Sequence, residues 1–270
     1  MKIIKSIFDL NKEIKNYNNI GFVPTMGGIH NGHISLIKAS QKKKSKTIVS
    51  IFVNPTQFNK TIDFKNYPRN IQKDIITLKK LNVNYLFLPT KKDIYKFKTR
   101  KFVLRKKDKI LCAKFRKGHF EGVLNVMNRL MSIVKSKDLF MGEKDYQQLH
   151  LIRKFLSKKF DARINACPTI RTTDKIALST RNKLLNKKSL EKVSQIARIL
   201  INIKKRSKLP SSKLKLNLSD HKIKLEKKFN IKIDYLEFRD ERNLKLNHFR
   251  NKFRLFVAYN INKIRLIDNF

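Results

Sequence analysis

Two histidines stand three residues apart in a glycine-rich segment near the start of the chain. The segment reads Pro24-Thr-Met-Gly-Gly-Ile-His-Asn-Gly-His33, and it joins a short apolar run to a helical pattern. A strand, a Gly-rich turn and a helix N-terminus can present backbone N–H groups and a positive dipole end to an anion. The imidazoles of His30 and His33 add donors that can reach a polyphosphate. We therefore interpret this segment as a phosphate-binding turn.

Two other interpretations of the same residues stay open at this stage. A metal site would use the histidine pair, but no third ligand stands nearby. A purely structural turn would explain the glycines, of which the chain has seven, four of them between Gly21 and Gly32. Neither a P-loop nor the usual dinucleotide-binding fingerprint occurs in the sequence.

Hydrophobic periodicity predicts strands that alternate with helices over the first 168 residues. Runs of strand length lie at 19–23, 47–53, 85–88, 139–141 and 164–167, and helical patterns at 33–44, 71–78, 120–134 and 146–156. Asn70 is placed to cap the second of these helices. Such alternation predicts an α/β fold, with a Rossmann-like parallel sheet that carries helices on both faces.

The pattern changes after Pro168 and predicts a smaller α+β domain. Helical patterns lie at 189–201 and 218–229, with a basic connection at 204–215 between them, and strands follow at 231–238, 255–259 and 264–267. We expect two domains, 1–168 and 169–270.

The net charge of +44 comes from 64 Lys and Arg against 20 Asp and Glu. The cations are spread over the whole chain, and Lys outnumbers Arg although bidentate phosphate and base recognition favours Arg. A basic nucleic-acid-binding module would show clustered Arg and exposed aromatic residues for stacking, and we locate neither. We therefore expect no specific nucleic-acid partner.

Cysteine usage and hydropathy exclude several other classes of protein. Cys112 and Cys167 are too few for a disulfide framework or a four-thiolate zinc site. The longest apolar stretches fall far below the roughly 18 residues of a membrane helix. The segment from Met1 to Glu13 lacks a signal-peptide core. A cytoplasmic protein with no membrane partner is expected.

Eight segments together carry a family resemblance. His30-Asn-Gly-His33 resembles the His-x-Gly-His signature of the nucleotidyltransferase superfamily. The further segments are Gly21-Phe-Val-Pro-Thr-Met-Gly27, Ser50-Ile-Phe-Val-Asn-Pro-Thr-Gln-Phe58, Tyr67-Pro-Arg69, Gly118-His-Phe-Glu-Gly-Val123, Phe140-Met-Gly-Glu-Lys-Asp-Tyr-Gln-Gln148, Ala177-Leu-Ser-Thr-Arg-Asn182 and Arg265-Leu-Ile-Asp-Asn269. In this order and spacing they resemble the pantothenate synthetase (pantoate–β-alanine ligase) family across nearly the whole chain.

The resemblance implies an ATP-dependent ligase of pantothenate biosynthesis. Pantoate would react with ATP to give pantoyl adenylate and pyrophosphate, and β-alanine would then displace AMP to give pantothenate. The family uses Mg²⁺ with ATP and forms a homodimer. The small molecules pantoate, β-alanine and ATP are thus the expected ligands.

The resemblance also implies roles for individual residues. The catalytic set would be His33, His30, Lys144 and Arg181. The ATP-binding set would be Met26, Gly27, Gly28, Ile29, His30, Asn31, Gly32, His33, Gly142, Glu143, Lys144, Asp145, Ile170, Leu178, Ser179, Thr180 and Arg181. Gln57, Gln148 and Met26 would hold the substrates pantoate and β-alanine, and Asp74 would contact Mg²⁺ through water. The smaller domain would close over the phosphates as a lid.

The sequence departs from the family pattern at several positions. Gly28 and Asn31 stand where the family usually has Ala and Glu, and the other departures lie near Arg181. Lys175-Ile176 stands where Gly-Leu is usual, and Thr180 replaces a common Ser. Loss of that glycine is expected to strain the turn that leads to Arg181.

The alternative function is that of another adenylate-forming or nucleotidyl-transferring enzyme, but the Lys-Met-Ser-Lys-Ser loop of the tRNA-linked members is absent. We expect His119 to cap or pack, and His150, His221 and His248 to be structural or exposed.

Overall fold

A computed structural model describes residues 1–59, 61–96, 101–207, 217–247 and 252–270. Contacts within the chain define two compact units. The first comprises Met1–Glu143 with Gln148–Thr169, and the second comprises Lys144–Gln147 with Ile170–Phe270. The short segment Lys144–Gln147 therefore groups with the C-terminal residues, although it lies within the range 1–168 that the sequence assigns to the larger domain.

The first unit is built on a sheet of six parallel strands. These are β1 (Lys2–Ile4), β2 (Ile20–Thr25), β3 (Lys46–Ile51), β4 (Tyr85–Phe87), β5 (Asp138–Gly142) and β6 (Arg163–Cys167). Their order is β1-β4-β3-β2-β5-β6, with every neighbouring pair parallel. Strand β3, which follows β2 in the chain, pairs with one edge of β2, and the later strand β5 pairs with the opposite edge of β2. Ligands of open α/β sheets bind at such a switch point, outside the carboxyl ends of the strands.

Eight helices connect or follow these strands in the part of the chain that the structure describes. They are α1 (Ile7–Ile14), α2 (Asn31–Lys43), α3 (Thr61–Lys65), α4 (Ile71–Lys80), α5 (Lys91–Tyr95), α6 (Cys112–Phe115), α7 (His119–Val134) and α8 (Tyr146–Ile152). The Asn70 side chain caps α4 by accepting from the Lys73 N–H, as predicted. Helix α8 is shorter than the predicted 146–156, because its last turn widens into a π-helical turn at Arg153–Ser157.

The second unit contains a three-stranded antiparallel sheet and two described helices. The strands are β7 (Lys232–Asp240), β8 (Phe253–Ile261) and β9 (Ile264–Asn269), in that order, and the helices are α9 (Lys187–Arg206) and α10 (Leu218–Phe229). Apolar side chains of α9 such as Ile196 and Leu200 share one core with Val257 of β8. Helix α9 includes the start of the predicted basic connection. Residues 208–215 of that connection, like His248, lie outside the described residues.

The predicted fold class is confirmed for both parts of the chain: a parallel sheet with helices, followed by a small α+β unit. The sequence analysis did not predict the elements β1, α1, α3, α5 and α6, which are only three to eight residues long. Within the described ranges, no helix has both the length and the apolar character needed to cross a membrane.

One buried carboxylate fixes the beginning of β5. Asp138 is 4% exposed, and it accepts hydrogen bonds from Arg163 at 3.1 and 2.8 Å and from Asn165 at 3.0 Å. The Lys44 ammonium, just after α2, lies 2.8 Å from the same carboxylate. Burial raises the pKa of Asp138, but the bonds from Arg163 and Lys44 outweigh it and lower the pKa to about 2.

Because this pKa is lower in the folded protein than in the unfolded chain, Asp138 stabilises the fold above the unfolded pKa. The contribution is lost as the pH falls towards the folded pKa. We expect Asp138→Asn to lower the free energy of unfolding by roughly 2 kcal/mol at pH 7 and by roughly half as much at pH 3, midway between the folded and unfolded pKa values. Urea titrations at both values measure this, with the exposed Asp63→Asn as control. An equal loss at both values would contradict it.

Candidate active site

The turn that follows β2 depends on two consecutive residues with positive φ. Gly27 has φ +78° and Gly28 φ +65°, a region that glycine enters without strain. A Cβ on Gly27 would lie 2.9 Å from the Asp74 carboxylate. The Gly27 N–H donates to Thr25 Oγ1 at 3.1 Å, and that hydroxyl donates to the Ser50 carbonyl at 2.9 Å. The turn is thus tied to the end of β3.

Asp74 holds the next two residues of the turn. Its carboxylate lies in the first turn of α4 and is 3% exposed. The Gly28 N–H donates to Oδ2 and the Ile29 N–H to Oδ1, both at 2.8 Å. These N–H groups were expected to face an anion. They are directed instead at the protein's own oxygens, because Asp74 supplies acceptors that the local sequence pattern does not reveal.

The two histidines cap α2 through their ring nitrogens. The Gly32 N–H donates to His30 Nδ1 at 3.1 Å, and the His30 N–H donates to His33 Nδ1 at 3.4 Å. The ring centroids are 4.1 Å apart. A neutral imidazole that accepts at Nδ1 carries its proton at Nε2. Both rings therefore hold an Nε2–H donor beside the positive end of α2, where the helix dipole favours an anion.

Gln57 and Met26, two of the predicted substrate residues, are in contact. Gln57 lies in a 3-10 turn after β3 and is 9% exposed. Its Nε2 lies 2.8 Å from Met26 Sδ, and its Oε1 accepts from Asn54 Nδ2 at 3.2 Å. The hydroxyl of Tyr95 donates to Asn54 Oδ1 at 2.7 Å. The amide of Gln57 therefore has a defined orientation, and Asn54 and Tyr95 are contributors that the sequence did not single out.

The start of α7 supports the backbone at Gln57. His119 Nδ1 donates to the Gln57 carbonyl at 2.6 Å, and Arg116 lies 2.9 Å from His119 Nε2. A Cβ on Gly122 would lie 2.4 Å from the Thr56 carbonyl oxygen, so only glycine permits this close approach. His119 was expected merely to cap or pack. Its place in the Gly118–Val123 motif was the available signal for this positioning role.

Lys144 belongs to the second unit. It lies in a 3-10 turn, Glu143–Asp145, directly after β5, and its side chain is 17% exposed. Its ammonium is 3.5 Å from the Asp145 carboxylate. Gln148, the remaining predicted substrate residue, is half-buried on α8 and belongs to the first unit.

Five other predicted nucleotide-binding residues of the second unit, Ile170 and Leu178 to Arg181, lie on one hairpin and the turn that follows it. The Leu178 N–H donates to the Ile170 carbonyl at 3.0 Å, which closes the hairpin. Ser179 then caps a 3-10 turn, Thr180–Leu184, by accepting from the Arg181 N–H at 3.3 Å. The structure therefore brings Ile170, Leu178 and the Ser-Thr-Arg segment together. The Arg181 side chain is half-buried.

The tip of this hairpin carries the strain that the sequence predicted. Lys175, at the position of the missing glycine, has φ +69°. The left-handed region costs a residue with a Cβ of the order of 1 kcal/mol. Bonds from the Lys175 N–H to the Thr172 carbonyl and from the Thr172 N–H to the Ile176 carbonyl, both at 2.9 Å, hold the turn closed.

A metal site built from protein side chains needs several ligands placed around one point. Within the described ranges, no group of three or more His, Cys, Asp or Glu side chains is placed to hold a metal ion. Each Asp74 oxygen accepts one backbone N–H bond, and the residue is 3% exposed. The predicted contact of Asp74 with Mg²⁺ through water stays a prediction.

Comparisons with known proteins agree over the whole chain. The family model for pantoate-beta-alanine ligase matches residues 2–270. The pantothenate synthetase of Francisella tularensis subsp. novicida is 40% identical over 273 residues, which cover 99% of this chain and 95% of the relative.

Solved structures give the same result. A pantoate-beta-alanine ligase from Francisella tularensis, in complex with beta-gamma ATP and beta-alanine, superposes with a TM-score of 0.85 at 39% identity, covering 100% of this chain and 97% of that one. The pantothenate synthetase of Thermus thermophilus gives a TM-score of 0.88 at 29% identity, covering 100% and 99%. On these matches, and with the motif residues arranged as described, the chain belongs to the pantoate–β-alanine ligase family.

Proposed function

We propose that this protein condenses pantoate with β-alanine at the expense of ATP, forming pantothenate, AMP and pyrophosphate through pantoyl adenylate. The observation that carries the proposal is the placement of His30 and His33 at the N-terminus of α2, where the Nδ1 atom of each ring accepts a backbone N–H. We infer from this that each neutral ring carries its proton at Nε2. Family membership supports the same reaction.

The first step activates a carboxylate that is by itself a poor acylating agent. A pantoate carboxylate oxygen attacks the α-phosphorus of ATP, and the bond to the bridging oxygen breaks. Pyrophosphate leaves with that electron pair, and a mixed anhydride remains. Two anions must meet in this step, so fixed donors and cations that face the phosphates supply most of the catalysis.

The second step forms the amide bond. The neutral amine of β-alanine attacks the acyl carbon of the adenylate, the anhydride C–O bond breaks and AMP leaves as the stable anion. The nitrogen loses one proton as the amide forms. Water must be kept from the same carbon, because hydrolysis would return pantoate.

Each residue role follows from its functional group. His33 donates Nε2–H to a phosphate oxygen in the transition state, with His30 beside it. Lys144 and Arg181 neutralise charge on the phosphates. The Gln57 amide can donate to a pantoate oxygen and accept from a pantoate hydroxyl. Its fixed orientation supports this assignment.

Four further predictions belong to the proposal. A magnesium ion brought by ATP needs no carboxylate cluster, since Mg²⁺ commonly binds substrate phosphates and keeps several waters. The cytoplasmic location and the lid role of residues 169–270 stay predictions.

The homodimer also stays a prediction. Sedimentation velocity at micromolar concentration should give a dimer, and a monomer alone would contradict it.

Isotope exchange between pyrophosphate and ATP tests the first step. We expect exchange with pantoate, and none with mixed amino acids or with no addition, because only the pantoate carboxylate fits the proposed site. Amino-acid-dependent exchange would favour the other adenylate-forming function. A folded protein that shows no exchange with pantoate would overturn the proposal.

His33→Ala should lower the pantoate-dependent exchange rate about 100-fold or more, because it removes a donor aimed at developing charge. His221→Ala, which changes a half-buried histidine on α10, is the matched control and should leave the rate unchanged. Equal rates for the two variants would contradict the role of His33.

Asp74→Asn should weaken the turn itself, because an amide places an NH₂ group against a backbone N–H. We expect the free energy of unfolding to fall by roughly 1–3 kcal/mol, and the KM for ATP to rise. Urea titration and exchange kinetics measure both, with Asp63→Asn as control. If unfolding were unchanged while the apparent affinity for Mg²⁺ fell at saturating ATP, Asp74 would act on the metal instead.

A further inference from the structure

Asn269, at the end of β9, joins two parts of the second unit through its side-chain amide. It is 3% exposed. Its Nδ2 donates to the Lys144 carbonyl at 2.9 Å, and its Oδ1 accepts from Arg254 Nη1 at 3.0 Å. Both ends of the amide are thereby used, which fixes its orientation. Asn269 closes the Arg265–Asn269 motif, to which the proposed reaction assigns no role.

The neighbouring side chains hold the same short segment from the other side. The Arg254 guanidinium stacks over the Tyr146 ring at 4.3 Å, and the Tyr146 hydroxyl donates to the Glu241 carbonyl at 3.1 Å. Arg254 also lies 3.4 Å from the Glu241 carboxylate. The segment Lys144–Gln147 is thus tied to β8 and β9, which explains why it groups with the second unit.

The preceding residue, Asp268, makes an equivalent connection to the hairpin that leads to Arg181. Its two carboxylate oxygens accept from Arg171 at 2.7 and 2.8 Å. Arg171 also donates to the carbonyl oxygens of Lys175 and Asn269, each at 3.0 Å. Two consecutive residues of β9 therefore fix both segments of the second unit that carry a proposed phosphate-binding cation.

We propose that Asn269 is a positioning residue for ATP binding, acting through the backbone of Lys144. The inference rests on the proposed function, since it takes Lys144 to contact the phosphates. Loss of the Nδ2 donor would release the Lys144 carbonyl, and the turn that directs the ammonium would shift. Displacements of about 1 Å can cost as much as 100-fold in such sites.

The test is a double-variant cycle on ATP affinity, measured by calorimetry with the full-length protein. Asn269→Asp keeps the acceptor for Arg254 but sets a carboxylate oxygen against the Lys144 carbonyl. We expect it to raise the Kd for ATP roughly tenfold and to change the Kd for pantoate less than about twofold. Asn217→Asp, which makes the same charge change at the exposed cap of α10, should alter neither value.

Lys144→Ala removes the ammonium but keeps the carbonyl that Asn269 binds. In that background, Asn269→Asp should change the Kd for ATP by less than about twofold, because nothing remains to be positioned. A full tenfold change in both backgrounds would mean that Asn269 only maintains the fold, and would overturn the inference. An unchanged Kd in Asn269→Asp would overturn it as well.

Folding and function are separated by two controls. If Asn269→Asp does not fold, as judged by circular dichroism, Asn269→Ser takes its place in the same cycle with the same expected outcomes. Wild-type protein without pantoate-dependent exchange would mean that the proposed function fails. If the wild-type protein shows pantoate-dependent exchange but the two substitutions have additive effects on the free energy of ATP binding, the proposed function stands. In that case only the positioning role of Asn269 is rejected.

Discussion

The hydrogen bonds from the Gly28 and Ile29 N–H groups to Asp74 are the interaction on which the first unit's candidate site depends. A buried carboxylate is costly unless donors satisfy it, and bonds to an ionised acceptor are among the stronger ones. Here the donors are two adjacent backbone groups, so the bonds fix the path of the chain. That path sets the residue at which α2 begins. His30 becomes the cap, and His33 follows within the first turn.

The parallel sheet explains why Met26 and Gln57, two of the predicted substrate residues, are in contact. Strands β2 and β3 are neighbours, paired from Ile20 with Lys46 to Thr25 with Ile51, so both end at the same edge of the sheet. Met26 follows β2 directly, and Gln57 is the last residue of the capped 3-10 turn that follows β3. Their contact is a consequence of strand register. The close approach of α7, which Gly122 permits, then holds the backbone beneath Gln57.

Local pattern was sufficient for the strand, turn and helix around His33, because each depends on residues within a few positions of one another. It could not supply Asp74, whose acceptors lie 46 and 45 residues from Gly28 and Ile29. Nor could it supply Asn269, which is 125 residues from Lys144. Contacts between residues so far apart in the chain follow no periodicity and no fixed spacing that a local sequence pattern could reveal. The family motifs did contain both Lys144 and Asn269, but a motif shows that residues occur together and not which atoms touch.

The charge of the chain gives the buried carboxylates particular weight. With 64 cationic residues against 20 acidic ones, an exposed carboxylate has many interchangeable partners, and screened surface pairs contribute little. Asp74, Asp138 and Asp268 differ because each is largely withdrawn from water and bound through directed donors. Asp74 fixes the turn that carries His30 and His33, Asp138 fixes the beginning of β5, and Asp268 fixes the hairpin that leads to Arg181. In a chain with so many cations, Asp138 therefore holds Lys44 and Arg163 in place and Asp268 holds Arg171, whereas Asp74 holds two backbone N–H groups.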